Sequence, residues 1–96
     1  MTRSESQFRS WFLSNHPNAF VVKFPDFKQT GMSHCAGVPD YLTIRGGLTV
    51  WYEVKTWRSR SLTPAQKVVF RRMVDAGAVI YIWIKLVRGY KIEKFV

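Results

Sequence analysis

A single cysteine, Cys35, in 96 residues leaves no intramolecular disulfide to form, and a reducing setting is expected. Long apolar runs are missing too. The longest, AVIYIWI at 78–84, is far short of the roughly 20 residues a membrane helix needs, so no membrane association is expected. The start, MTRSESQFRSW, has no apolar run ahead of a small-residue cleavage site, and an intracellular protein is the expectation. Acidic residues are scarce: six Asp and Glu face fifteen Lys and Arg, a formal charge of +9 spread along the chain rather than gathered in a tail. Such an imbalance speaks about partners more than about fold. A polyanion is the natural partner. Nucleic acid fits better than an acidic membrane, because no segment reads as a basic amphipathic helix with an apolar membrane face. A basic surface that merely keeps the chain soluble is the other reading of the charge. No internal repeat and no low-complexity segment is present.

What is present is apolar and aromatic. At 47% hydrophobic and 16% aromatic residues the chain has ample material for a packed core, which argues against disorder despite the charge. Residues 1–96 are expected to form one domain, since half that length buries too little apolar surface to stand alone.

Thr2 and Glu5 have capping-box spacing, and Phe8, Trp11 and Phe12 follow at helical spacing, predicting a helix from about Arg3 to Ser14 that Pro17 stops. AFVVKF at 19–24 reads as a strand. PDFKQTGMSHCAG at 25–37 reads as a long, functional loop. Two β-like runs, PDYLTI and LTVWYEVK, then flank Gly46-Gly47, a pair suited to a type I′ hairpin turn because both central residues need positive φ. After the basic linker TWRSRS, Thr63 can cap a second helix with Pro64 at its first position and Gln66 closing the capping box. Val69, Phe70 and Met73 form its apolar stripe, and Gly77 ends it. AVIYIWI follows as a buried strand, with YKIEKF as a weaker last strand pairing across Arg88-Gly89. The order αβββαβ, with a final β, predicts an α/β fold in which helices pack on a mixed sheet.

If the turn occupies 46 and 47, residues whose numbers sum to 93 oppose one another, and Asp40 and Glu53 are such a pair. A bulge or longer loop would shift this register by one residue. Directly opposed Cβ atoms lie roughly 4.5–5.5 Å apart, and like charges so placed repel. Something positive is needed between them. Lys55 shares the face of Glu53, since strand side chains alternate. Two carboxylates, the Val54 carbonyl and water are also a ligand set for Mg²⁺, which prefers oxygen and keeps positions open for a substrate phosphate.

Pro39-Asp40 followed by Glu53-Val54-Lys55 resembles the PD-(D/E)xK motif of the restriction-endonuclease-like nuclease superfamily, and the order of elements resembles its αβββαβ core. The narrower resemblance is to the VRR-NUC type, carried by Gly37-Val38-Pro39-Asp40, the Glu-Val-Lys strand, the helix opening Leu62-Thr63-Pro64-Ala65-Gln66, and Gly77 before an apolar strand. It covers nearly the whole chain. The resemblance implies a divalent-metal-dependent endonuclease hydrolysing DNA phosphodiester bonds with Mg²⁺ or Mn²⁺, acting on a structure such as a junction or flap. Asp40 and Glu53 would then bind the metal and Lys55 would position the attacking water. It also implies a helix-1 glutamate at the site, and Glu5 matches; its capping-box role is the competing reading. Gln66 likewise either caps its helix or reaches inward to Lys55 or the scissile phosphate. Family analogy implies a homodimer, which the many aromatic residues also suit. A cytoplasmic or nucleoid protein of phage or bacterial origin fits the whole.

Other residues carry weaker signals. Asp26 follows a second Pro-Asp pair, but no tight turn sets it opposite Glu53. His34 and Cys35 have only His16 as a further soft ligand, too few for structural zinc. Arg58 and Arg60, just past the active-site strand, and Lys67 and Arg71 on the outer face of helix 2 are expected to hold DNA phosphates. Trp57, beside the basic linker, either stacks on a base or packs against protein. The competing function is a nucleic-acid-binding module without catalysis, in which Asp40, Glu53 and Lys55 form a structural ion-pair group.

Overall fold

The computed structural model describes residues 2–24 and 37–96. Helix α1 spans Arg3–Asn15 and strand β1 Phe20–Lys23; β2 (Tyr41–Arg45), β3 (Leu48–Thr56), α2 (Pro64–Asp75), β4 (Ile80–Lys85) and β5 (Tyr90–Lys94) follow. The strands form one sheet in the order β1-β2-β3-β4-β5. Only β3 and β4 run parallel; the other neighbours are antiparallel. The parallel pair is joined through α2, as parallel strands require a crossover. This is the mixed-sheet α/β fold with the αβββαβ order read from the sequence.

The helix ends form as their sequences dictate. Thr2 and Glu5 make a reciprocal capping box at α1, and Thr63 and Gln66 make one at α2, with Pro64 in the first turn. At the far end of α2, Ala78 N–H donates to Met73 O at 2.9 Å and Gly77 N–H to Val74 O at 3.0 Å. That double closure needs a left-handed residue, and Gly77 supplies it with φ +104°.

Two apolar layers position everything else. Phe8 and Phe12, one turn apart, are fully buried and meet Tyr41, Tyr52, Val54 and Trp83 on one face of the sheet. Phe8 reaches Tyr41 and Tyr52 with ring centroids 5.0 and 5.1 Å apart. Full burial of each such side chain stabilises by about 1.5–3 kcal/mol. Much of the aromatic content that suited a subunit interface is thus consumed within the chain. Because strand side chains alternate, Glu53 and Lys55 point to the opposite face, where α2 lies and Ile80, Ile84 and Phe70 are buried.

Strand β2 begins at Tyr41, two residues later than the PDYLTI run suggested. Pro39 explains this. In the observed register Tyr41 pairs with Tyr52 and Arg45 with Leu48, so the residue facing Val54 is Pro39, which has no N–H to extend the ladder. The turn itself is the expected one, with φ +52° at Gly46 and +81° at Gly47.

Gly37 ties the start of this hairpin to α2. Its φ is +88°, and a Cβ there would lie 2.8 Å from Ala65 O and 3.0 Å from Val69 Cγ2. Gly47 also has positive φ but open space around it. Gly37→Ala should therefore combine backbone strain with overpacking against α2, costing about 2–4 kcal/mol, while Gly47→Ala should cost only the strain, about 1–2 kcal/mol. Urea unfolding of both variants measures the difference; equal costs would show that α2 does not press on Gly37.

Candidate active site

The hairpin sets Asp40 and Glu53 side by side at the end of the β2–β3 ladder, in the register read from the sequence. Where the ladder stops opposite Pro39, the Val54 N–H donates to Asp40 Oδ2 at 3.0 Å. In return the Asp40 N–H donates to Glu53 Oε1 at 3.2 Å. Asp40 is also pinned to β1, its carbonyl accepting from Phe24 N–H at 2.8 Å. The same missing proline N–H leaves the Val54 carbonyl without a donor from β2, next to both acids.

Glu53 is 3% exposed, and its second oxygen has two partners. Gln66 Nε2 donates to Glu53 Oε2 at 2.8 Å, and Lys55 Nζ stands 3.4 Å from that oxygen. Lys55 Nζ also donates to Gln66 Oε1 at 3.2 Å, and Oε1 accepts from Thr63 N–H at 2.9 Å. The amide orientation is fixed by chemistry: its oxygen faces two donors and its nitrogen an acceptor. Gln66 therefore does both things that were set as alternatives. It closes the capping box of α2 and links Glu53 to Lys55.

Glu5 stands on the other side of the same cleft. Its Oε2 accepts from Thr2 N–H at 2.8 Å and from Lys23 Nζ at 3.0 Å, so its capping role is real and a lysine from β1 holds it. Sequence reasoning missed Lys23. The available signal was a lone charge inside an otherwise apolar strand, one whose register places it beside Tyr41 and Asp40.

The electrostatics follow from burial. Removal from water pushes Glu53 up to about 7, and the neighbouring Asp40 charge adds to the rise, against the opposing pull of Lys55 and Gln66. Asp40 is also raised, first by burial and further by repulsion from Glu5, despite the Val54 N–H that favours its ionised form. Glu5 goes the other way: burial would raise it, but the Thr2 N–H and Lys23 together hold it below its ordinary value.

A cleft of about 280 Å³ opens here between the first turn of α1 and the end of β3, lined by Ser4, Glu5, Asp40, Glu53, Lys55 and Ser59 among others. Among the described residues no three His, Cys, Asp or Glu side chains are gathered as a ligand group. The donors that do converge are the Asp40 and Glu53 carboxylates and the Val54 carbonyl. A buried carboxylate and a half-buried one that both resist ionising, beside one ammonium, fit a divalent cation that takes one or two carboxylates and fills its remaining positions with water and phosphate.

The basic residues are less uniform. Arg58 lies over the Trp57 ring, 4.9 Å from its centroid, and Arg60 pairs with Glu93 at 3.6 Å; both are exposed. Lys67 is exposed on α2. Arg71 is turned to the end of the chain, donating to Val96 O at 2.7 Å and covering Phe95. Asp26, His34 and Cys35 lie outside the described residues.

The acid pair makes a stability prediction. Both carboxyls bind protons more tightly folded than unfolded, so their contribution is most favourable below about pH 4 and is lost as pH rises through the window from 4.5 to about 7. In metal-free buffer the protein should lose roughly 2–3 kcal/mol from this source across that window. Asp40→Asn keeps the acceptor for Val54 and turns an N–H₂ toward Glu53. It should be more stable than the parent at pH 8 by about 1 kcal/mol, with the gap closing near pH 4. Thermal melts at the two pH values check this; a variant less stable at pH 8 would count against mutual repulsion.

The fold has a counterpart among solved structures. The 1.6 Å structure of Hjc from Archaeoglobus fulgidus, a Holliday junction resolvase from an archaeal hyperthermophile, superposes with a TM-score of 0.57 at 18% sequence identity, over 92% of this chain and 73% of that one. No protein-family model and no curated protein matches the sequence. The likeness is one of fold: the mixed five-stranded sheet with its two helices is an architecture that this chain and the archaeal resolvase have in common.

Proposed function

We propose that the protein is a divalent-metal-dependent endonuclease of the VRR-NUC type that hydrolyses DNA phosphodiester bonds at a branched structure such as a junction or flap. The observation that carries this reading is the convergence of Asp40, buried Glu53 and Lys55 in one cleft on a strongly basic chain, with Gln66 bonded to both Glu53 and Lys55. The similarity of fold to an archaeal Holliday junction resolvase supports a branched substrate.

Asp40, Glu53 and the Val54 carbonyl would hold Mg²⁺ or Mn²⁺, with Glu5 completing the acidic lining. When bound, the ion would lower the pKa of water and stabilise the charge that grows on the phosphate oxygens. The chain's own residues do the rest. Lys55 offers its ammonium to the attacking water and the scissile phosphate, where charge develops in the transition state. Gln66 orients both Glu53 and Lys55 from the rigid first turn of α2, a positioning role. Arg58, Arg60 and Lys67 would contact flanking phosphates, giving affinity without reading sequence, whereas Arg71, expected from the sequence to join them, is engaged by Val96 O and the Phe95 ring. A homodimer would supply two such sites for two strands, and the mass of the particle in solution tests it.

Cleavage assays over branched and linear DNAs, with and without Mg²⁺ or Mn²⁺, test the reading. Asp40→Ala and Lys55→Ala should each lower metal-dependent cleavage by about 10²-fold or more, with DNA affinity preserved. Gln66→Ala should cost about 10–100-fold, as expected of a group that orients a ligand. Undiminished cleavage in Asp40→Ala would remove the assignment. A non-catalytic DNA-binding module is favoured by one observation, that Glu53, Lys55 and Gln66 already satisfy one another. Such a module would bind DNA in a salt-sensitive way, yet show no Mg²⁺ uptake by calorimetry that Asp40→Asn abolishes.

A further inference from the structure

Beside the acidic cleft lies a second one of opposite character. It holds about 440 Å³ and runs between Arg3, Ser4 and Gln7 of α1, Thr56 and Trp57 at the end of β3, and Lys85 at the end of β4 with Leu86 and Val87 after it. Ser4 and Thr56 line both clefts, so the two adjoin. None of the residues lining the second is acidic. Its size falls in the range of small-ligand sites, roughly 300–1,000 Å³.

Trp57 is the feature that needs an explanation. It is 44% exposed, neither in the core nor packed beneath a strand. Its backbone is nevertheless firmly held. Trp57 N–H donates to Lys85 O at 2.9 Å, closing the β3–β4 ladder, and Ser59 N–H returns to Thr56 O at 3.0 Å in a tight turn. The guanidinium of Arg58 lies over the indole, 4.9 Å from its centroid. Leu86 and the exposed Val87 add apolar surface, while Arg3 and Lys85 supply cations, the Lys85 ammonium also donating to Gly89 O at 3.1 Å. An aromatic platform on a rigid turn, backed by a guanidinium and rimmed by positive charge, is what a nucleobase with its phosphates selects.

The geometry points to a binding subsite for one unpaired nucleotide, next to the scissile phosphate, with its base stacked on Trp57 and its phosphate held by Arg3 and Lys85. It rests on the reading of the neighbouring cleft as a phosphodiester site. A paired base offers no free face to an indole, so the subsite selects substrates in which at least one nucleotide beside the cut is single-stranded. The fold alone did not specify that feature of the substrate.

Binding in metal-free buffer tests this without cleavage. Fluorescence anisotropy would compare a blunt duplex with the same duplex carrying a few unpaired thymidines at its 5′ or 3′ end. One of the two overhangs should bind at least about 5-fold tighter than the blunt end, the lower bound for one stacked base. Trp57→Ala should bring that overhang down to the blunt level, and Trp57→Phe, which retains a ring, should keep part of the preference. A melting temperature near that of the parent identifies the variants as folded. Equal affinity for blunt and overhanging DNA, or a preference that survives in Trp57→Ala, overturns the subsite. Cleavage reports separately: a protein that cuts DNA without a Trp57-dependent preference keeps the nuclease reading and loses this one. One that prefers overhangs through Trp57 but cuts nothing with Mg²⁺ or Mn²⁺ does the reverse.

Discussion

Two carboxylates held side by side in a protein interior must be compensated, and much of this structure can be understood as the apparatus that holds Asp40 and Glu53 together. The Gly46-Gly47 turn sets the register, Pro39 ends the ladder and leaves the Val54 carbonyl without a β2 donor, and the Val54 N–H binds Asp40. Phe8 and Phe12 pack the back of the same strands, fixing the plane from which Glu53 projects. Gly37 lets α2 approach closely enough for Gln66 to reach Glu53. Each device is local, yet all converge on one pair of acids whose burial works against the fold. An arrangement that spends stability on charge repulsion in a chain otherwise poor in acids points to function rather than to architecture.

Much of this was legible in the sequence because the signals were local and geometrically strict. A Gly-Gly turn admits few conformations, and once it is placed the side-chain period of two decides which residues oppose each other. The capping boxes and the glycine after α2 are equally strict, which is why both helices fall within a residue or two of their expected ends. The parallel β3–β4 pairing was implied by the helix between them.

Other parts were hidden because they depend on three-dimensional neighbours. The Lys23–Glu5 bridge joins residues 18 apart, and only the β1–β2 register brings them together. Gln66 was framed as either a cap or a site residue, a choice that dissolves once its two ends are seen to work independently: Oε1 accepts while Nε2 donates. The late start of β2 follows from a proline whose missing N–H matters only because Val54 faces it. Arg71 could be read as an outward cation, but the sequence does not say that the last residues fold back to occupy it.

The distribution of charge carries the final step. A field of +9 draws in a polyanion from any direction, yet the cleft at the end of β3 is lined by three of the six acidic residues in the chain, Glu5, Asp40 and Glu53. A phosphate brought to that cleft by the surrounding lysines and arginines meets carboxylates that repel it. Lys55, already engaged with Glu53 and Gln66, offsets only part of that repulsion. In the proposed reading a divalent cation reconciles the two, since it is attracted by the acids and attracts the phosphate. The adjoining cleft with Trp57 needs no such mediator, because its lining is basic, apolar and neutral polar, with no acidic residue. In that reading the division of labour is electrostatic: affinity would belong to the basic surface and the proposed stacking platform, and chemistry to the small acidic opening.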